Sequence, residues 1–317
     1  MRVHRHWRAG APKGVSEGAV VAIGNFDGVH DGHRAVIAAA RRVADTLAAP
    51  LAILTFEPHP RSLFQPTAPP FRLTPFRAKA RLLDEAGIDD LFVLRFDRRL
   101  AALPARDFVA DLLVAGLGAR HVVVGEDFTF GHGRGGNPAL LEEMGARLGF
   151  GVSVLKPLAD RNGKICSASR IRRHLAEGRP RDAAALLGRF WEIEGRVRHG
   201  DRRGRELGFP TANLGIADYL HPTPGVYAVR AAIAGADGPV WRGGVANFGN
   251  RPTFAGQDWR FETFLFDFAG DLYGRHLRVA VIEFLRPDAM FDDAEALVRQ
   301  MREDERRARE IIAREPP

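Results

Sequence analysis

The stretch AVVAIGNFDGVHDGHRAVIAAARRVADTL (residues 19–47) decides how the first half of the chain is read. It opens on a continuous apolar run, passes through a turn with three glycines, and continues as an amphipathic repeat. An apolar run without alternation predicts a strand buried on both faces, and the repeat behind it predicts a helix. Gly28 and Gly32 permit backbone turns closed to other residues. His30 and His33 would then flank the N-terminus of that helix, where free N–H groups and the positive dipole end favour an anion. Two imidazoles aimed there can donate hydrogen bonds to phosphate oxygens. A zinc site needs a third and fourth ligand, and no paired His, Cys or acidic motif stands nearby at a matching spacing.

The same alternation recurs over the first 155 residues. Strand-like runs AVVAIGNF (19–26), LAILTF (51–56), LFVLRF (91–96), HVVVGEDF (121–128) and VSVL (152–155) are separated by amphipathic stretches. Among these are RAVIAAARRVADTL (34–47), PFRAKARLLDEAG (75–87) and ARDFVADLLVAGLG (105–118), the last two ending at glycines that suit helix C-caps. The expectation is an α/β domain with a doubly wound parallel sheet covered on both faces. Ligands of such sheets sit at the carboxyl ends of the strands.

After about Arg189 the pattern changes. WEIEGRVRHG (191–200), GVYAVRAAIAG (225–235), VWRGGVANFG (240–249), RFETFLFDF (260–268) and LRVAVIEFLR (277–286) follow one another without helices between them. That is the mark of an antiparallel barrel or sandwich. One amphipathic helix, DDAEALVRQMREDERRAREIIA (292–313), comes last, and residues 167–188 read as two short helices split at Gly178–Pro180. A boundary near Gly188 gives two modules, 1–188 and 189–317.

Composition narrows the function classes. The chain has 317 residues, 45% hydrophobic and 27% charged, as in soluble globular proteins. No apolar run approaches the length of a membrane span, and MRVHRHWRAGAPKG (1–14) lacks the apolar core of a secretory signal. The single cysteine, Cys166, excludes an intrachain disulfide and a multi-cysteine zinc site, so a cytoplasmic location is expected. The net charge of +7 is spread along the chain, with only RPR (179–181) and RHGDRRGR (198–205) as local concentrations. A polynucleotide binder more often shows a basic stripe interleaved with aromatics. The expected partners are therefore phosphate-bearing small molecules, with no nucleic acid and no membrane.

Several motifs, taken in order, resemble the prokaryotic bifunctional riboflavin kinase/FAD synthetases. GNFDGVHDGH (24–33) is similar to the nucleotidyltransferase signature of that family, and TFEPHP (55–60), GEDFTFGHGRGG (125–136) and SASRIR (167–172) resemble the rest of its adenylyltransferase module. GRELGFPTANL (204–214), GVYAV (225–229), GVANFGNRPTF (244–254), ETFLFDF (262–268) and LYG (272–274) resemble its kinase module. The resemblance spans nearly the whole chain. It implies an N-terminal Rossmann-like FMN adenylyltransferase and a C-terminal β-barrel kinase with a terminal helix. The implied substrates are riboflavin, FMN and ATP, and the implied metal is magnesium.

The resemblance also implies roles for individual residues. In adenylyl transfer the FMN phosphate attacks the α-phosphorus of ATP directly, so catalysis is positioning and charge stabilisation. His30 and His33 would stabilise the α-phosphate and the leaving pyrophosphate. Arg172 would fork onto the pyrophosphate, with Ser167 or Ser169 capping its helix. Gly24, Asn25, Phe26 and Gly32 would complete the ATP side. Phe56, Pro58 and His59 fall in the region used near flavin and nucleotide, and Asp127, Phe128 and Arg134 in a loop suited to the flavin or a phosphate. In the kinase half, Thr211 and Asn213 offer hard oxygen donors to magnesium. Glu262 would be the base for the ribityl hydroxyl, and Gly208 lies in a flap over ATP. Ala168 and His132 depart from the family's usual Ser and Lys. They leave open an alternative in which a riboflavin kinase carries a non-catalytic, nucleotide- or flavin-binding regulatory module.

Overall fold

The structure is a computed structural model that describes residues 1–5, 18–199, 208–233, 239–253 and 256–315. They form two compact units, residues 1–69 with 76–167, and residues 70–75 with 168–317.

In the first unit the strands are β1 (Arg2–Arg5), β2 (Val20–Ile23), β3 (Leu51–Glu57), β4 (Asp90–Arg95), β5 (His121–Gly125) and β6 (Gly151–Leu155). The helices are α1 (Asp31–Leu47), α2 (Pro60–Phe64), α3 (Phe76–Glu85), α4 (Arg98–Ala101), α5 (Ala105–Asp107) and α6 (Pro138–Leu148). All strand pairs are parallel, in the order β1-β4-β3-β2-β5-β6. Alternate side chains of the central strands feed two cores. Val21, Ile23, Leu54, Phe92 and Leu94 pack with Phe108, Leu112 and Leu141. Val20, Ala22, Ile53, Leu91 and Val93 pack with Ile37, Ala40 and Leu83 of α1 and α3. Burial on both faces explains why the runs showed no alternation.

Two details differ from the sequence reading. The stretch 105–118 is not one α-helix, because α5 passes into a π-helix, Phe108–Gly116, and the Leu117 N–H donates to Leu112 O at 3.0 Å. The wider turn still buries Phe108, Val109, Leu112 and Leu113. Strand β1 was not anticipated at all. Its polar residues hold an edge position through the buried carboxylate of Asp90, which accepts from Arg2 Nε and Nη2 at 2.8 and 2.7 Å. His4 Nε2 lies 2.7 Å from the same carboxylate, and its ring stacks on Phe92.

The second unit contains α7 (Ala168–Ala176), α8 (Pro180–Leu187), six strands and α9 (Ala294–Ala313). The strands β7 (Trp191–Arg198), β8 (Thr211–Gly215), β9 (Gly225–Ile233), β10 (Val240–Thr253), β11 (Gly256–Leu265) and β12 (His276–Arg286) form a closed barrel. Its order is β10-β11-β8-β7-β12-β9, antiparallel throughout. The sequence showed five of these strands as runs, and β8, the short TANLG segment, is the sixth. Opposed residues Leu214, Phe261 and Phe248 turn inward and are buried. On the outside, Ala308 of α9 packs with Val226, Ala228 and Phe266. Buried Asp304 of α9 accepts from Arg286 Nε and Nη2 at 3.0 and 2.8 Å. The segment 70–75 docks here too, with Trp191 Nε1 donating to Leu73 O at 2.9 Å.

Candidate active sites

Strands β2, β3 and β4 step across the sheet in one direction and β5 and β6 in the other. The reversal between β2 and β5 is the topological switch point, and its carboxyl edge is the expected ligand crevice. The loops after β3, β2 and β5, which are neighbours, carry the three N-terminal motifs to that one edge.

The loop after β2 is tightly wound. Phe26, Gly28 and Val29 all have positive φ, at 48°, 87° and 41°. Phe26 and Val29 are buried apolar residues held in a backbone region that β-branched and bulky side chains avoid. The winding delivers His30 as the N-cap of α1, with its Nδ1 accepting from the His33 N–H at 3.4 Å. With Nδ1 accepting, a neutral His30 ring carries its proton on Nε2, leaving that atom as its donor. The rings of His30 and His33 stack with centroids 3.7 Å apart, so both imidazoles share the first turn of α1. Gly32 suits this packed turn, since a Cβ would stand a tight 3.1 Å from the His30 ring and 3.3 Å from Cys166 O. Asn25 is exposed, and its carbonyl accepts from Thr55 Oγ1 at 3.3 Å, joining this loop to β3. Gly24 lies against the Phe26 ring.

After β3, Phe56 belongs to the core and meets Phe96 edge to face. Pro58 follows a cis bond and is exposed, and His59 caps α2 through Nδ1. Two residues absent from the sequence-level candidates appear here. Phe64 packs edge-on against Phe96 yet is 68% exposed. Lys79, fully buried, reaches Glu57 Oε1 at 2.9 Å. Neither had a local signal, because each depends on where β3 ends. After β5, Asp127 and Arg134 are exposed, and Phe128 stacks on Phe130. Backbone bonds between Phe130 and Gly136 close the loop that carries Arg134 and His132.

Ser167 immediately precedes α7, and Ser169 lies inside that helix. Arg172 donates from Nε to Phe71 O at 2.8 Å, within the second unit. The structure thus brings His30, His33, Gly24, Asn25, Phe26, Gly32 and the residues after β3 and β5 to one edge. Ser169 and Arg172 belong to the other compact unit.

On the barrel, Arg198, Asn213, Glu262 and Asn247 occupy directly opposed positions on β7, β8, β11 and β10. Opposed residues of antiparallel strands project to the same face, with Cβ atoms about 4.5–5.5 Å apart. The inward parity belongs to Leu214, Phe261 and Phe248, so this polar row lies on the outer face. Thr211 is two residues from Asn213 on the same strand and therefore shares its face. Asn213 is only 8% exposed, and its Oδ1 has no hydrogen-bond partner among the described residues. A buried acceptor left in that state costs free energy unless something donates to it or coordinates it. A hard cation held by oxygen fits that atom and the neighbouring Thr211 hydroxyl. Glu262 is half-buried beside them. Gly208 is exposed with φ at 83°, while residues 204–207 of the expected flap lie outside the described residues.

Residues 13–169 match the family model described as FAD synthetase, and residues 187–312 match the one described as riboflavin kinase. Over 301 residues the chain is 42% identical to the bifunctional riboflavin kinase/FMN adenylyltransferase of Escherichia coli K12, covering 95% of both chains. The chain belongs to the bifunctional riboflavin kinase/FMN adenylyltransferase family. A member from Bacillus subtilis is 35% identical and covers 92% of this chain and 91% of its own. A crystal structure described as a macrolide-efflux protein from Streptococcus pneumoniae is 32% identical, with a TM-score of 0.82 over 93% of this chain and 95% of that one. That likeness covers residues of both units of the chain. Among its described residues no helix is long and apolar enough to cross a membrane.

Proposed function

We propose that the chain makes FAD from riboflavin in two steps, each with one ATP, with residues 1–188 as the adenylyltransferase and 189–317 as the kinase. The observation that carries this reading is the coexistence of two separate constellations. One is the His30–His33 pair on a helix N-terminus at the switch point, and the other is the Asn213–Glu262 row on the barrel.

In the kinase step Glu262 takes the proton of the terminal ribityl hydroxyl as its oxygen attacks the γ-phosphorus of ATP. The bond to ADP breaks, and FMN forms. Thr211 and Asn213 would hold magnesium, which when bound neutralises phosphate charge. The orphaned Asn213 Oδ1 supports that role. Gly208 lies at the edge of a loop assigned to cover ATP.

In the second step an FMN phosphate oxygen attacks the α-phosphorus of a second ATP, and pyrophosphate leaves. No protein nucleophile is needed. His30 presents Nε2–H, and His33 stands beside it, so both stabilise charge that grows on the phosphates. Gly24, Asn25, Phe26, Gly32, Ser167 and Ser169 line the ATP side in this assignment, and Arg172 keeps the role of pyrophosphate ligand. Phe56, Pro58, His59, Asp127, Phe128 and Arg134 are assigned to the flavin side. Of these, Phe56 supports rather than touches the ring, since it is buried, and Phe64 is the exposed aromatic at that edge. We place the enzyme in the cytoplasm, where ATP is supplied.

Incubation of the protein with riboflavin and Mg-ATP, followed by chromatographic separation of the flavins, tests both steps. FMN followed by FAD is expected. The kinase assignment fails if no FMN forms, and FMN without FAD leaves the N-terminal module as a non-catalytic regulator.

A further inference from the structure

The polar row on the barrel has a direction. It runs from Arg198 on β7 through Asn213 on β8 and Glu262 on β11 to Asn247 on β10. The Arg198 guanidinium covers Gly215, where a Cβ would lie 3.2 Å from its Cζ, so the β7–β8 end carries a cation. The β10 end differs in sign. At Gly249, two residues beyond Asn247, a Cβ would lie 3.2 Å from Asp288 Oδ2 and 3.4 Å from Asn247 Oδ1. One carboxylate and one amide thus flank the same point on the outer face, and glycine leaves that point open. Asn247 and Asp288 are both exposed.

Given Glu262 as the base, a reading on which this inference rests, the terminal hydroxyl of riboflavin must meet Glu262. A triphosphate is drawn to the Arg198 and Asn213 side and repelled by the Asp288 carboxylate. The remaining direction along the row, toward β10, is left for the body of the acceptor. Asn247 is opposite Glu262, with Cβ atoms about 4.5–5.5 Å apart, which is the reach from a terminal hydroxyl to the next hydroxyls of an extended polyol. Secondary hydroxyls donate, so two neighbouring ones can donate to Asn247 Oδ1 and to the Asp288 carboxylate, the two acceptors that face this point. A phosphate, which only accepts when ionised, cannot satisfy the carboxylate.

We infer that Asn247 and Asp288, meeting over Gly249, read the secondary hydroxyls of the ribityl chain and fix which hydroxyl reaches Glu262. They act as specificity residues for the acceptor and leave ATP binding to β7 and β8.

The test compares riboflavin with 4′-deoxyriboflavin, whose side chain lacks the hydroxyl next to the terminal one. The full-length protein is assayed for flavin phosphorylation as wild type, Asn247→Leu and Asp288→Asn. Wild type is expected to prefer riboflavin in kcat/KM by roughly tenfold to a hundredfold, the range for losing a hydrogen bond to a charged or buried partner. Each variant should raise the KM for riboflavin about tenfold and shrink that preference to within about threefold. The KM for ATP should stay within about twofold, and adenylylation of supplied FMN should be unchanged. The inference is overturned if the preference persists in both variants, or if the KM for ATP rises instead. An equal fall in kcat for both flavins, with the preference intact, would mark a structural role and also overturn it. Failure of the base reading shows separately, as phosphorylation that survives Glu262→Gln.

Discussion

Asn213 and Glu262 stand directly opposite each other across β8 and β11, on the outer face of the barrel. One is a nearly buried amide whose oxygen has no donor among the described residues, and the other is a half-buried carboxylate. Their juxtaposition sets the proposed oxygen ligand and the proposed base one cross-strand distance apart, an arrangement suited to phosphoryl transfer to a hydroxyl. The two lie almost fifty residues apart in sequence and meet only because β11 pairs with β8.

Replacing Glu262 by Gln keeps the shape and removes the carboxylate proposed as the base. FMN formation should fall roughly 10²- to 10⁴-fold, while FAD formation from supplied FMN stays at the wild-type rate. Assaying the two steps separately, with riboflavin and with FMN, checks this. A kinase rate within about threefold of wild type would remove Glu262 from the mechanism.

The stacked pair His30 and His33 should matter only to the other reaction. The double variant His30→Ala/His33→Ala is expected to accumulate FMN and to form FAD at least 10²- to 10³-fold more slowly, roughly the cost of removing a donor to a charge-developing oxygen. FAD appearing at an undiminished rate would disprove the phosphate-donor role.

Asp304→Ala tests how α9 is held on the barrel. It leaves Arg286 without its carboxylate, and Gln300 Nε2 loses the same acceptor at 3.0 Å. Breaking a buried pair by removing one partner costs about 3–5 kcal/mol. Because Arg286 keeps some contact with water, about 2–3 kcal/mol is expected here. Denaturant unfolding measures it, and a loss under about 0.5 kcal/mol would show that apolar packing alone anchors α9.

Burial pushes the imidazoles of His121, His174 and His221 below their ordinary value of 6.5, and for His174 the nearby Arg179 adds to this while Asp182 opposes it. A depressed histidine binds its proton less readily in the folded state than in the unfolded chain. Above about pH 6.5 both states are neutral and stability is full; as pH falls through that value, the unfolded chain protonates first and stability declines. Melting temperature should therefore fall between about pH 7.5 and pH 5, with a shallower slope in His174→Gln. A melting temperature that holds or rises over that interval would contradict the assignment.

Much of this molecule was legible in its residues. Unalternating runs such as LAILTF and LFVLRF announced strands buried on both sides, and all appear in the parallel sheet. The break near Gly178–Pro180 separated α7 from α8 as read. His30 and His33 were placed at a helix N-terminus by the glycines around them, and there they are. Hydrophobic period and turn chemistry are local properties, so a single stretch of chain can display them.

What escaped the sequence was decided by partners distant along the chain. Strand β1 looks polar and becomes a strand because Asp90 accepts from Arg2. TANLG lacks a strand pattern and becomes β8 because β7 and β11 flank it. Lys79 is buried against Glu57, and Phe64 is left exposed, because of where β3 ends. The sequence by itself determined the alternation that makes the parallel sheet, the change to antiparallel strands after it, and the helix that His30 and His33 begin. Only the tertiary structure decided that Asn213, Glu262 and Asn247 form one row, and that Asp288 closes it over Gly249. The reason is physical. Strand register is set by pairing between segments that no local pattern specifies, and a one-residue shift would send every one of these side chains to the opposite face.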